Sequence, residues 1–193
     1  MDSYWLFAIV WFVAAAAPGA DTALLVSTTL ARGWKSAIPI SLGITTAKVI
    51  LLLLAFFGLS ALLTAAPQTF IALKVFGSGF LLWRAYRLWT REPLPASSSE
   101  TQFRQNFAVA LTTAISNPQA MLFYVAIVPQ VTATTDPLIL SAIIAIGFTA
   151  ISAGYVALAL PIRSWISRGQ NERMLNRGLA LVFVLVAAII ALR

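Results

Sequence analysis

The chain has 193 residues, 60% apolar and only 10% charged, where a soluble domain carries about 25% charged; its mean hydropathy is +0.90, so apolar surface is left over for something other than water. Cysteine and histidine are both absent, which excludes disulfides, thiol redox chemistry, His-based acid–base catalysis and ordinary zinc sites. A net charge of +7 would suggest nucleic acid in a soluble protein, but most basic residues here sit in short gaps between apolar runs, and no nucleic-acid partner is expected.

Six apolar runs are each long enough to cross a bilayer, at about 20 residues per crossing: residues 4–30, 37–63, 69–89, 107–131, 138–162 and 175–192. They are continuous and lack period-2 alternation, so helices are predicted over a barrel. The first run ends its Ala14–Ala17 stretch like a signal-peptide cleavage site, but it lacks a basic start and continues past Pro18. It is read as a retained span.

The first run contains Pro18-Gly19-Ala20-Asp21. Proline removes a helical hydrogen bond and glycine relaxes the backbone, so a kink or break is predicted. Asp21 follows it, about nine residues or ~13 Å from the end of the run. The gap after this run carries Arg32 and Lys35. The second run places Lys48 about eleven residues or ~16 Å deep, level with Asp21 on an antiparallel neighbour. Pairing would lower the cost of burying both, whether as a static staple or as a working couple. Thr45 and Thr46 precede Lys48 by one turn. The third run adds Lys74, which either faces the site or snorkels outward, and the small trio Gly77-Ser78-Gly79.

The third run ends among Arg84, Arg87, Arg91 and Arg104, and residues 91–106 read as a flexible, exposed linker. It divides the chain into 1–90 and 107–193, three crossings each. An odd number per half makes the second half enter from the opposite side, as in inverted repeats. The fourth run contains Ser116-Asn117-Pro118-Gln119, again about ten residues deep. Interruptions at corresponding positions of two halves point to a transporter binding site. The fifth gap carries Arg163, Arg168, Arg173 and Arg177, while the second and fourth carry no Lys or Arg. By the positive-inside rule the odd gaps are cytoplasmic and both termini lie outside. Trp5, Trp11, Trp83 and Trp89 lie toward run ends and fit an interfacial aromatic belt.

These residues resemble the LysE/RhtB family of amino-acid exporters. Pro18-Gly19-Ala20-Asp21 is similar to that family's PGP[ND] segment. Leu73-Lys74 through Trp83 is similar to its LKxxGxxYL helix. Asn117-Pro118-Gln119-Ala120, with Phe123 and then Pro129-Gln130, is similar to its NPKAxxFF…PQF segment. The matches run from residue 18 to residue 177. Two positions depart: Ala20 stands for the second proline, and Lys48 stands where the family has an apolar or less basic residue. The added charge suits a neutral or anionic substrate better than a cationic one.

The resemblance implies an all-α polytopic protein of the bacterial inner membrane, with six transmembrane helices as two inverted three-helix repeats. It implies export of amino acids or close derivatives, driven by the proton-motive force. Combined with the residues above, the expected substrate and ion site is Pro18, Gly19, Asp21, Thr45, Lys48, Lys74, Asn117, Pro118 and Gln119. Asp21 is expected to take the substrate ammonium or a coupling proton, with alternating access at the midplane. No cofactor, metal or enzymatic activity is expected, since a single deep acid leaves a thin catalytic menu. A homodimer is the expected assembly. The competing readings are a non-transporting structural membrane subunit and an exporter of another metabolite or cation.

Overall fold

The computed structural model describes residues 2–59 and 99–166 throughout, with isolated positions between 75 and 90 and between 177 and 188. The described residues are helical apart from short connections, and contain no strand. Helix α1 spans Asp2–Ala16 and α2 spans Ala20–Arg32. Together they form one broken span, bent by 53°. The chain turns at Gly33 into α3, Trp34–Leu54, which runs on through a π-helical turn at Ala55–Leu59. After the undescribed stretch, α4 covers Ser99–Ile115 and α5 covers Pro118–Val131. These form a second broken span, bent by 61°. A 3₁₀ turn, Thr132–Thr134, leads to α6, Pro137–Ile166. The order is thus a broken span then a continuous one, occurring twice.

Residues 99–106 differ from the sequence reading, which assigned 91–106 to a flexible linker. Helix α4 begins at Ser99, and Asn106 is buried. Glu100, Gln102, Arg104 and Gln105 are good helix formers, so the helix starts once the prolines at 93 and 95 are passed. The third and sixth predicted runs fall almost wholly outside the described residues.

Helix α3 is the central post. It packs on α2, α4 and α6, most extensively on α4. Gly43 makes that contact close: a Cβ built there would lie 2.5 Å from the Phe107 carbonyl oxygen and 2.8 Å from Ala110 Cβ. Small residues let helix backbones approach this way in lipid. Leu24, Leu25, Ile40, Ile44, Leu51, Ala110, Val128, Leu140, Ile144 and Phe148 fill the space between the helices. Trp5, Ile9, Val13, Phe57, Ile146 and Leu158 point outward. A bilayer gives such an apolar exterior a favourable solvent.

The two ends differ in charge. At one end, Arg32 donates to Asn106 Oδ1 (3.5 Å), and Asn106 Nδ2 donates to the Ser36 carbonyl (3.5 Å). The Arg163 guanidinium lies against Gly33. This end therefore gathers Arg32, Lys35, Arg104 and Arg163. At the other end, Thr134 donates to Ser3 Oγ and the Asp136 amide donates to Tyr4 OH, both at 2.8 Å.

Candidate functional site

The first break is built by Ala17-Pro18-Gly19. Helix α1 stops at Ala16, whose carbonyl accepts from Tyr155 OH of α6 at 2.8 Å. Helix α2 restarts beyond Gly19, whose backbone is extended. The Gly19 amide donates to Thr22 Oγ1 (2.8 Å), the reciprocal half of a capping box. Asp21 therefore sits in the first turn of α2, where the helix dipole favours a negative charge. Lys48, near the middle of α3, donates to Asp21 Oδ2 at 2.7 Å. Both side chains are less than a tenth exposed. The Lys48 ammonium also lies 5.0 Å from the Phe148 ring centroid, a second favourable contact for a cation out of water.

The second break follows a different recipe. Asn117 caps α5: its Oδ1 accepts from the Gln119 amide at 3.1 Å, and Pro118 occupies the first helical position. Proline suits that place because its missing N–H would find no partner there. With Oδ1 committed to the cap, Asn117 Nδ2 turns to Asp21 Oδ1 at 3.4 Å. The two interruptions thus meet. One carboxylate receives an ammonium from α3 on one oxygen and an amide from the tip of α5 on the other.

A cavity of about 160 Å³ opens at this meeting point. Gly19, Ala20, Asp21 and Thr22 border it from the start of α2, and Asn117, Gln119 and Ala120 from the start of α5. Lys48 completes the polar side. The other side is Trp11, Ala14, Ala15, Phe123 and Tyr124. The volume falls below the roughly 300–1,000 Å³ of drug-sized sites, so the cavity has room for a small molecule only. The charge balance favours an anionic group. Asp21 and Lys48 cancel, while each helix N-terminus adds about half a positive charge.

The LysE type translocator family matches residues 12–193. The chain belongs to that family. It is 26% identical over 182 residues to a homoserine/homoserine lactone efflux protein of Salmonella typhimurium, covering 90% of this chain and 88% of that one. It is 28% identical over 186 residues to a leucine efflux protein of Klebsiella pneumoniae, covering 90% and 87%. It is 32% identical over 127 residues to the Escherichia coli uncharacterized membrane protein YahN, covering 63% and 55%. No solved structure matches significantly.

Within this translocator the expected site residues divide. Gly19, Asp21, Lys48, Asn117 and Gln119 are brought together around the cavity. Pro18 and Pro118 shape the breaks, and Pro18 itself is exposed. Thr45 is half-buried on α3 and is not among the described residues lining the cavity. Lys74 lies outside the described residues. Trp11 departs from its expected place. Trp5, Trp83 and Trp89 are half-exposed or more, as a belt requires, but Trp11 is only 2% exposed. Its Nε1 donates to Tyr124 OH at 2.8 Å. The reason is Gly147 on α6: a Cβ there would stand 2.6 Å from Trp11 Cζ3, so only a glycine leaves room for the indole. Sequence reasoning missed Tyr124, Phe148 and Thr22 as well. Thr22 had a local signal, standing three residues after the break glycine. The two aromatics had none.

Proposed function

We propose that this chain exports a small neutral amino acid, or a close derivative, from the cytoplasm by alternating access at the cavity between the two breaks. The observation that carries the reading is the Asp21–Lys48–Asn117 cluster at the tips of two half-helices. A zwitterion can replace an ion pair pole for pole. Its ammonium takes the place of Lys48 on Asp21, and its carboxylate takes Lys48 and the helix N-termini. A cationic side chain would add charge next to Lys48, which disfavours lysine or arginine as cargo. The efflux proteins named for homoserine and leucine, to which the chain is similar, support a neutral cargo.

Coupling follows from the same carboxylate. A proton arriving on Asp21 removes the negative pole and releases the ammonium, so proton and substrate compete and antiport results. The end bearing Arg32, Lys35, Arg104 and Arg163 faces the cytoplasm by the positive-inside rule, which puts the Ser3–Thr134 end outside. The repeated order of broken and continuous spans supports two inverted halves of three crossings each. The family supports a bacterial inner membrane as the setting, and the assembly proposed is a homodimer.

The test is export from cells. Wild type and Asp21→Asn are expressed at matched levels, cells are loaded with dipeptides, and the free amino acids appearing outside are quantified. Faster exit of one or a few neutral amino acids with the wild type alone is expected. No change in any efflux with either protein would overturn the amino-acid reading.

A further inference from the structure

The polar side of the cavity meets the ammonium and carboxylate that all amino acids share. Discrimination among them must come from the opposite side, which faces the substrate's own side chain. The largest group there is Trp11, and its position is fixed twice. Its Nε1 donates to Tyr124 OH at 2.8 Å, and Tyr124 is itself buried. Its six-membered ring is seated on Gly147, with the site of a missing Cβ 2.6 Å from Cζ3, 3.4 Å from Cη2 and 3.6 Å from Cε3. An indole held at one edge by a hydrogen bond and at the other by a helix backbone is a rigid wall. The rest of that side is Ala14 and Ala15, which are small, with Phe123 and Tyr124. Tyr124 is held by the same hydrogen bond, and Trp11 is the widest of these side chains, so it sets most of the wall's depth.

We propose that Trp11, seated in the Gly147 slot, is the residue that determines which side-chain size the translocator accepts. The inference rests on the export reading above, whose cargo it specifies. It makes two substitutions act in opposite directions. Trp11→Phe removes one ring from the wall and deepens the cavity. Gly147→Ala places a methyl inside the indole's present position. The ring must move, and the unfilled volume beside it is the cavity. A loss of packing alone would push both variants the same way.

The experiment measures export of alanine, homoserine, leucine and phenylalanine from cells, expressed as the ratio of the two larger to the two smaller substrates. Hydrophobic pockets discriminate one methylene by roughly 10–200-fold, so a ratio change of about fivefold or more is readable. Trp11→Phe is expected to raise the ratio and Gly147→Ala to lower it. Should Gly147→Ala fail to accumulate, Trp11→Phe and Trp11→Leu decide, with the larger truncation expected to give the larger rise. Wild-type export with an unchanged ratio in these variants would overturn the role of Trp11 and leave the export reading standing. Absence of export by the wild type would overturn both.

Discussion

Asn117 and Asp21 stand 96 positions apart in the chain and 3.4 Å apart in space. Each belongs to the first residues of a helix that restarts inside the apolar layer, so their contact joins the two broken spans tip to tip. The same amide oxygen–nitrogen group caps its own helix and reaches its partner's carboxylate. The local structure of one break is thereby tied to the charge state of the other.

The buried pair gives an order of stabilities. Lys48→Ala leaves Asp21 as an unpaired charge, and removing one partner of a buried pair costs about 3–5 kcal/mol. Asp21→Asn does the same to Lys48. The double change removes both charges together and is expected to recover most of the loss. Thermal melting in detergent reads the order, with the double variant above Lys48→Ala. A double variant melting no higher than Lys48→Ala would contradict the pairing. None of the three is expected to export.

Asn117 offers a separation of cap from contact. Asn117→Asp keeps an N-cap oxygen, since Asp caps helices as well as Asn. It replaces the amide donor to Asp21 with a second carboxylate. The cap survives, but two buried carboxylates side by side repel, so a melting temperature below wild type together with loss of export is the expected outcome. Asn117→Ala loses both roles, and the missing cap alone costs about 1 kcal/mol. Comparing export and melting temperature for the two variants checks this. An Asn117→Asp chain that exports normally would show that the contact with Asp21 is dispensable.

Gly43 predicts a backbone effect away from the cavity. A methyl there meets the Phe107 carbonyl and Ala110 Cβ inside contact distance, so α3 and α4 must separate. Overpacking of this kind costs about 1–3 kcal/mol. Gly154 on α6 has nothing within 4 Å of its missing Cβ, and alanine there gains about 0.5–1 kcal/mol of helix propensity. Gly43→Ala is expected to melt below wild type and Gly154→Ala at or above it.

Much of this site was legible in the sequence because its signals are expensive. A charge or a proline inside an apolar run is rare enough to stand out, and counting residues from each basic gap set Asp21, Lys48 and Asn117 at one depth. What stayed hidden carries no such mark. Trp11 looks like any tryptophan near a helix end, and only the absence of a methyl at Gly147, 136 positions later, turns it inward. Phe148 under Lys48 is one phenylalanine among twelve. The start of α4 inside the polar stretch was misread because prolines at 93 and 95 masked the helix formers that follow. Packing partners are set by tertiary approach, and local pattern does not encode it.

The ribosome releases Asp21 27 positions ahead of Lys48. Until α3 emerges, the nascent first span holds an acid with no counter-ion, and such a residue at the bilayer centre costs about 2.5–3.5 kcal/mol on insertion scales. Arrival of Lys48 offsets that penalty, so joint entry of the first broken span and α3 as one hairpin is the expected route into the lipid. The charge pair at the heart of the site thus also favours insertion in pairs of helices.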